Sequence, residues 1–219
     1  MKLTIIAAAA ATALLSASAF AASSKFAANV SDVLITNGAG GSGSLNIPIK
    51  TANKSDLLVG VSLMSTILTE TKTKGRNGDT NFAAAEGKVD VCLTITGEYE
   101  DLAPGCVTFE MRRQELTTVL SGVLDCPTED NSDFDDFCTI VDDEEVSLLL
   151  KTMSANHFNF VVKNVRPGVH TVTATVTGST DLTCDTALED CGAEVAVGPG
   201  SITVEEVRAT NDGTTIIFD

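Results

Sequence analysis

The chain has no tryptophan and a single tyrosine, Tyr99. Binding of sugars by stacking on broad aromatic side chains is therefore not expected of it. Basic residues are scarce as well: 14 Lys and Arg stand against 30 Asp and Glu, a formal net charge of −16. A field of that sign repels nucleic-acid phosphates and anionic lipid headgroups, which makes nucleic acid a poor partner. Histidine, the usual general base and metal ligand, occurs only at His157 and His170. No apolar run after residue 21 approaches the roughly 20 residues that a membrane-spanning helix needs, so membrane insertion is not expected. Zinc lacks its usual C-x-x-C pair, and no serine sits in a G-x-S-x-G elbow; Ser42, within GGSGS, lacks the final glycine.

What is present begins with MKLTIIAAAAATALLSASAFA, one Lys followed by an Ala-rich apolar run that ends in Ala19-Phe20-Ala21. This reads as a secretory signal peptide, residues 1–21, followed by one exported domain over 22–219. Secreted, periplasmic and cell-surface locations all fit. Six cysteines follow, Cys92, Cys106, Cys126, Cys138, Cys184 and Cys191, and an even number in an exported chain reads first as disulfides. Successive cysteines bracket polar, turn-like stretches, so loop closure favours sequential pairing: 92 with 106, 126 with 138, 184 with 191.

Between these landmarks the chain is a series of β-rich runs, among them DLLVGVSLMSTILTETKTK (56–74), KVDVCLTITG (88–97) and GVHTVTATVTG (168–178), punctuated by Gly, Asn, Asp and Pro. The implied fold class is all-β, an antiparallel sandwich of immunoglobulin-like or jelly-roll-like type stabilised by disulfides. EEVSLLLKTM (144–153) reads as strand because Val146, Leu148 and Leu150 alternate. The segment FNFVVKNVRPGVHTVTATV resembles the late hairpin of extracellular immunoglobulin-like and fibronectin-like sandwiches. That resemblance implies a sandwich and no activity. As a hairpin, its shared apolar face sets Phe160 opposite Ala174 through an odd, three-residue turn at Arg166-Pro167-Gly168. In that register His157 faces outward at the start of its strand and His170 inward, too far apart for a common site. The G-x-G-x-x-G spacing of Gly38, Gly40 and Gly43 invites a dinucleotide reading, but strand-like SLNIPIKT follows where a helix is required. The glycines read as a mobile connection between two strands.

The densest polar constellation is TEDNSDFDDFC (128–138), continued by VDDEE (141–145). It reads first as a solvated acidic loop pinned by its disulfide. Asn131, Asp133, Asp135 and Asp142 are the candidate calcium ligands within it, since hard oxygen donors at alternate positions of a curled loop can converge on one ion. Arg112-Arg113, flanked by Glu110 and Glu115, reads as an ion-paired face rather than an anion site.

These observations point to a non-enzymatic module that acts by its surface, in envelope structure, adhesion or protein–protein contact. The expected partner is a protein or cell surface, self-assembly included, with the glycine-rich segment or the terminal TTIIFD (214–219) as a donated strand. The competing readings are a secreted hydrolase with carboxylates gathered around calcium and a soluble ligand carrier.

Overall fold

A computed structural model describes residues 26–32, 35–38, 40–75, 80–97, 102–119, 123–125, 139–141, 144–184 and 189–207. Among these residues twelve strands follow in chain order: β1 (Phe26–Ser31), β2 (Ile35–Gly38), β3 (Gly40–Thr51), β4 (Ser55–Gly75), β5 (Thr80–Ile95), β6 (Leu102–Ala103), β7 (Cys106–Val119), β8 (Val123–Asp125), β9 (Thr139–Val141), β10 (Glu144–Val165), β11 (Gly168–Cys184) and β12 (Glu189–Val207). They form two antiparallel sheets. The first runs β1-β12-β4-β10-β6, with β2 also on β12; the second runs β3-β11-β5-β7; β8 and β9 pair only with each other. The all-β, disulfide-stabilised sandwich expected from the alternation is the fold observed.

Period-two alternation places β4. Leu57, Val59, Val61, Leu63, Ser65, Ile67, Thr69, Thr71 and Thr73 are all buried, while the residues between them, buried Gly60 apart, face out or lie at intermediate depth. One strand thus contributes to the whole length of the interior. Around its first half the core is large and aliphatic: Leu45, Ile47 and Ile49 of β3, Val89, Val91 and Leu93 of β5, Phe160 and Val162 of β10, Val172, Ala174 and Val176 of β11, Ile202 and Val204 of β12. Around its second half the lining is small. Ala83, Ala84 and Ala85 are buried there, and at Gly87 and Gly178 the sheets nearly touch. A β-carbon on Gly178 would lie 2.9 Å from Val195 Cγ1, and one on Gly87 would lie 2.5 Å from Ile67 Cγ2.

The thin half is held by polar groups that cross between the sheets. The Gln114 amide accepts from Thr69 Oγ1 at 2.8 Å and donates to Thr71 Oγ1 and to the Leu148 carbonyl, both at 2.7 Å. Thr73 and Thr118 hydroxyls meet at 2.8 Å, and Glu110 accepts from Ser65 and, at 2.7 Å, from Ser154. A register shift opposite Val89 and Asp90 leaves Phe109 without a ladder partner. With that extra residue Phe109 packs on the aliphatic core, yet Glu110 also turns inward to the serines.

Two cysteine pairs are in disulfide geometry. Cys92 and Cys106 face each other across β5 and β7, and Cys184 joins Cys191, tying the end of β11 in one sheet to the start of β12 in the other. Such bonds belong to an oxidising compartment, periplasmic or extracellular. Cys126 and Cys138 lie outside the described residues, as do the leader, the acidic run over 128–138 and TTIIFD.

The structure corrects three expectations. β10 and β11 are not a hairpin: β10 pairs β4 and β6, β11 pairs β3 and β5, and the Arg166-Pro167 link is an arch from one sheet to the other. Phe160 and Ala174 do share the core, but from opposite walls. The arch is fastened by the Arg166 carbonyl, which accepts from Thr51 Oγ1 at 2.7 Å and His170 Nε2 at 2.8 Å. The glycines are not a loose connection either, since Gly40 to Gly43 already form ladder pairs with β11, from Ser179 to Val176. Their bareness suits a close approach, for a β-carbon on Gly41 would lie 3.2 Å from Ile35 Cγ2. Finally, His157 lies mid-strand rather than at a strand start.

Close approach gives the first expected outcome. Gly178→Val should lower stability by about 1–3 kcal/mol in chemical denaturation, because the added methyls must displace Val195. Gly105→Ala, where a β-carbon meets nothing within 4 Å, should stay within about 0.5 kcal/mol.

Candidate functional site

Sheet edges are where a sandwich meets other chains, and the edges of this one differ in what protects them. The edge of the first sheet along β12 is covered by β1 and then β2, strands of 6 and 4 residues. In the second sheet β3 carries Pro48 and a glycine-rich beginning, and β7 carries a bulge and the charges Arg112, Arg113 and Glu115. These are ordinary devices against pairing. β10 has no proline, glycine or bulge from residue 144 to 160, and its charges there are Glu144, Glu145 and Lys151. Beyond Val161 and Val162, which pair β6, its outer edge from residue 144 to 160 has no ladder partner among the described residues. Its register against β4 is unbroken from Glu144 to Val162.

From Val146 to Met153 this stretch exposes apolar side chains on both faces. Val146, Leu148 and Leu150 point to the inner side yet are 37%, 40% and 43% exposed, and outward-facing Leu149 and Met153 are 58% and 63% exposed. The inner row is uncovered because β7, the last strand of the second sheet, is bonded over β4 through Gln114 and Thr118 and, among the described residues, bonds to β10 at the Leu148 carbonyl and Ser154. On the outer face Glu145 receives Lys72 at 2.7 Å and Lys74 at 3.8 Å. The hydrogen bond from Lys72 holds the Glu145 carboxyl below the usual carboxylate range, and Glu145 in turn raises Lys72. The pair is therefore present at neutral pH and is lost as acidification passes through the lowered Glu145 value.

A second cluster lies on the outer face of the same strand. His157 stands directly opposite Ser62 of β4; Nδ1 is 2.7 Å from Ser62 Oγ, and Nε2 is 3.0 Å from Asn159 Oδ1. A shallow cleft of about 390 Å³ adjoins it, lined in part by Val30, Met64, Ala155 and Pro199. A hydroxyl on an imidazole held by an amide has the parts of an acyl-transfer centre. Its setting is against that use: Ser62 lies in the middle of a strand with ladder partners on both sides, instead of on a sharp turn with free N–H donors. Cross-strand hydrogen bonding accounts for the geometry. Sequence reasoning missed the cluster because Ser62 and His157 are 95 residues apart and meet only through the register; the period-two spacing of His157 and Asn159 was its only local trace.

Of the other sequence-derived residues, Asn131, Asp133, Asp135 and Asp142 lie outside the described residues, and no group of three or more His, Cys, Asp or Glu able to hold a metal occurs among the described ones. Arg113 is ion-paired with Glu115 at 2.6 Å and Glu86 at 3.7 Å, whereas Arg112 turns to the inner side with Nη1 buried and unpartnered. No protein-family model matches the chain, and no relative is found among curated proteins.

Ser62→Ala, which removes one exposed-face hydrogen bond, is expected to cost about 0.5–1.5 kcal/mol of stability, and His157→Ala, which removes two, about 1–3 kcal/mol. Neither should change the rate at which the purified protein releases nitrophenol from short acyl esters; a fall to background in both variants would make the cluster an active site.

Proposed function

We propose that the chain is an exported, non-enzymatic β-sandwich module that works by contact, in surface structure, adhesion or protein–protein association, and that the β10 edge is its contacting element. The observation that carries this reading is the edge over residues 144–160, unpaired among the described residues, in unbroken register with β4, and apolar on both faces at Val146 to Leu150. Strand addition to such an edge draws affinity from main-chain hydrogen bonds and specificity from alternate side chains. The two disulfides support the same reading, since they stiffen a surface that works outside a reducing compartment. A hydrolase is the second reading, and Ser62 with His157 is the observation in its favour.

The test uses the purified oxidised protein, residues 22–219, beside a Leu148→Lys/Leu150→Lys variant, because lysine on an edge discourages pairing. Both should melt within a few degrees of each other, as neither leucine is buried. Immobilised wild type is expected to retain components of the producing cell's surface fraction, further copies of the chain included, at roughly tenfold the level of the variant. Equal retention by the two proteins would overturn the assignment of the β10 edge.

A further inference from the structure

We infer that the strand added to the β10 edge is β10 of a second copy, paired antiparallel about a two-fold axis at Leu148. This inference rests on the edge reading above and names its partner.

The argument is one of register. A two-fold axis perpendicular to a sheet keeps the same face of both copies on the same side, and directly opposed residues of an antiparallel pair share a face. Opposed residues of two β10 strands must then have numbers of equal parity, so the axis passes through a residue and never between two. Only a few such registers place the exposed apolar stretch at the contact. With the axis at Leu149, Val146 faces Thr152 and Glu145 faces Met153. At Ser147, Leu150 faces Glu144. At Leu148, each exposed apolar residue of the inner face finds an apolar partner: Val146 faces Leu150 of the second copy, Leu148 faces its own equivalent, and Leu150 faces Val146, while Glu144 meets Thr152 at the two ends of the contact. The same axis sets Glu145 opposite Lys151, twice by symmetry.

Lys151 is suited to that role. It is exposed and makes no ion pair among the described residues. Glu145 already holds Lys72 and Lys74, one on each carboxylate oxygen, and each oxygen keeps a free lone pair. Opposite charges placed directly across a strand pair stabilise it and like charges destabilise it. The residue on the axis is pinned from within, since the Leu148 carbonyl accepts from Gln114. The contact joins the two copies' first sheets into one and gathers the exposed inner rows into a single strip of six side chains. Nine residues a side, 144 to 152, make a small interface, so association should be weak and concentration-dependent.

Sedimentation of purified residues 22–219 over a concentration series is expected to show a monomer–dimer equilibrium. Lys151→Glu sets carboxylates face to face, and Glu145→Lys sets ammonium groups face to face. Each variant alone should dimerise roughly tenfold more weakly than wild type, and an equimolar mixture should recover, because the mixed pair regains both opposite-charge contacts. Position is read independently by cross-linking. Leu148→Cys should form a dimer joined at position 148 under mild oxidation, identified by peptide mass. Leu150→Cys alone should not, but should join Val146→Cys when the two are mixed. A protein that stays monomeric throughout, or that cross-links through Leu150→Cys alone, overturns the two-fold register. If that monomer still captures surface components through its leucines, the β10 edge stands with a different partner; if the Leu148→Lys/Leu150→Lys variant dimerises as wild type does, both fail.

Discussion

The hydrogen bonds between β7 and β4 decide the shape of this molecule. Glu110 meets Ser65, Gln114 meets Thr69 and Thr118 meets Thr73, each pair separated by 45 residues. That constant offset means that β7 lies along β4 in fixed step, a side chain from one sheet engaging a hydroxyl from the other at successive positions. A buried hydroxyl left without a partner costs more than its bond contributes, so the step cannot slip without orphaning several groups together. Because the last strand of the second sheet is fixed over the middle of the first, it does not extend over β10. The exposed inner row of β10 is a consequence of where the polar bonds stop.

The glycines and alanines belong to the same constraint. Short side chains such as those of Ser65, Thr69 and Thr73 reach across only if the sheets are close, and closeness requires Gly87 under Ile67 and Gly178 under Val195. In the other half of the sandwich, Phe160, Leu45, Ile49 and Leu57 fill a thicker space and no polar bonding is needed. The chain thus changes its means of joining the sheets at about residue 65 of β4, from aliphatic packing to hydroxyl and amide bonding.

Strands were legible because burial on one face writes a period of two, and in β4 it does so over 21 residues. Pairing was less legible. That Phe160 and Ala174 face one core is written in the alternation, but a common core does not distinguish neighbours in a ladder from residues on opposite walls. The hydroxyls that fasten the arch, such as Thr51 to the Arg166 carbonyl, lie 115 residues apart and leave no local pattern. The glycines misled for a related reason: a run without side chains reads as a flexible turn unless the closeness of Ile35 and of the neighbouring strand is known. Cys92 and Cys106 were readable because loop length constrains disulfides directly.

Net charge sharpens the significance of the β10 edge. Copies carrying a formal charge of −16 repel one another, and at physiological ionic strength that repulsion decays over about 8 Å. Strand pairing brings backbones to about 4.8 Å, inside the screening length, so it is tolerated only where the local balance differs from the global one. Basic side chains number just 14, yet Lys72, Lys74 and Lys151 all stand on the outer face of β4 and β10, among Glu70, Glu145 and, on β12, Asp190 and Glu194. The exposed apolar stretch of β10 is therefore also one where lysines offset much of the local acidic charge, and the two properties together restrict where a second strand can be accepted.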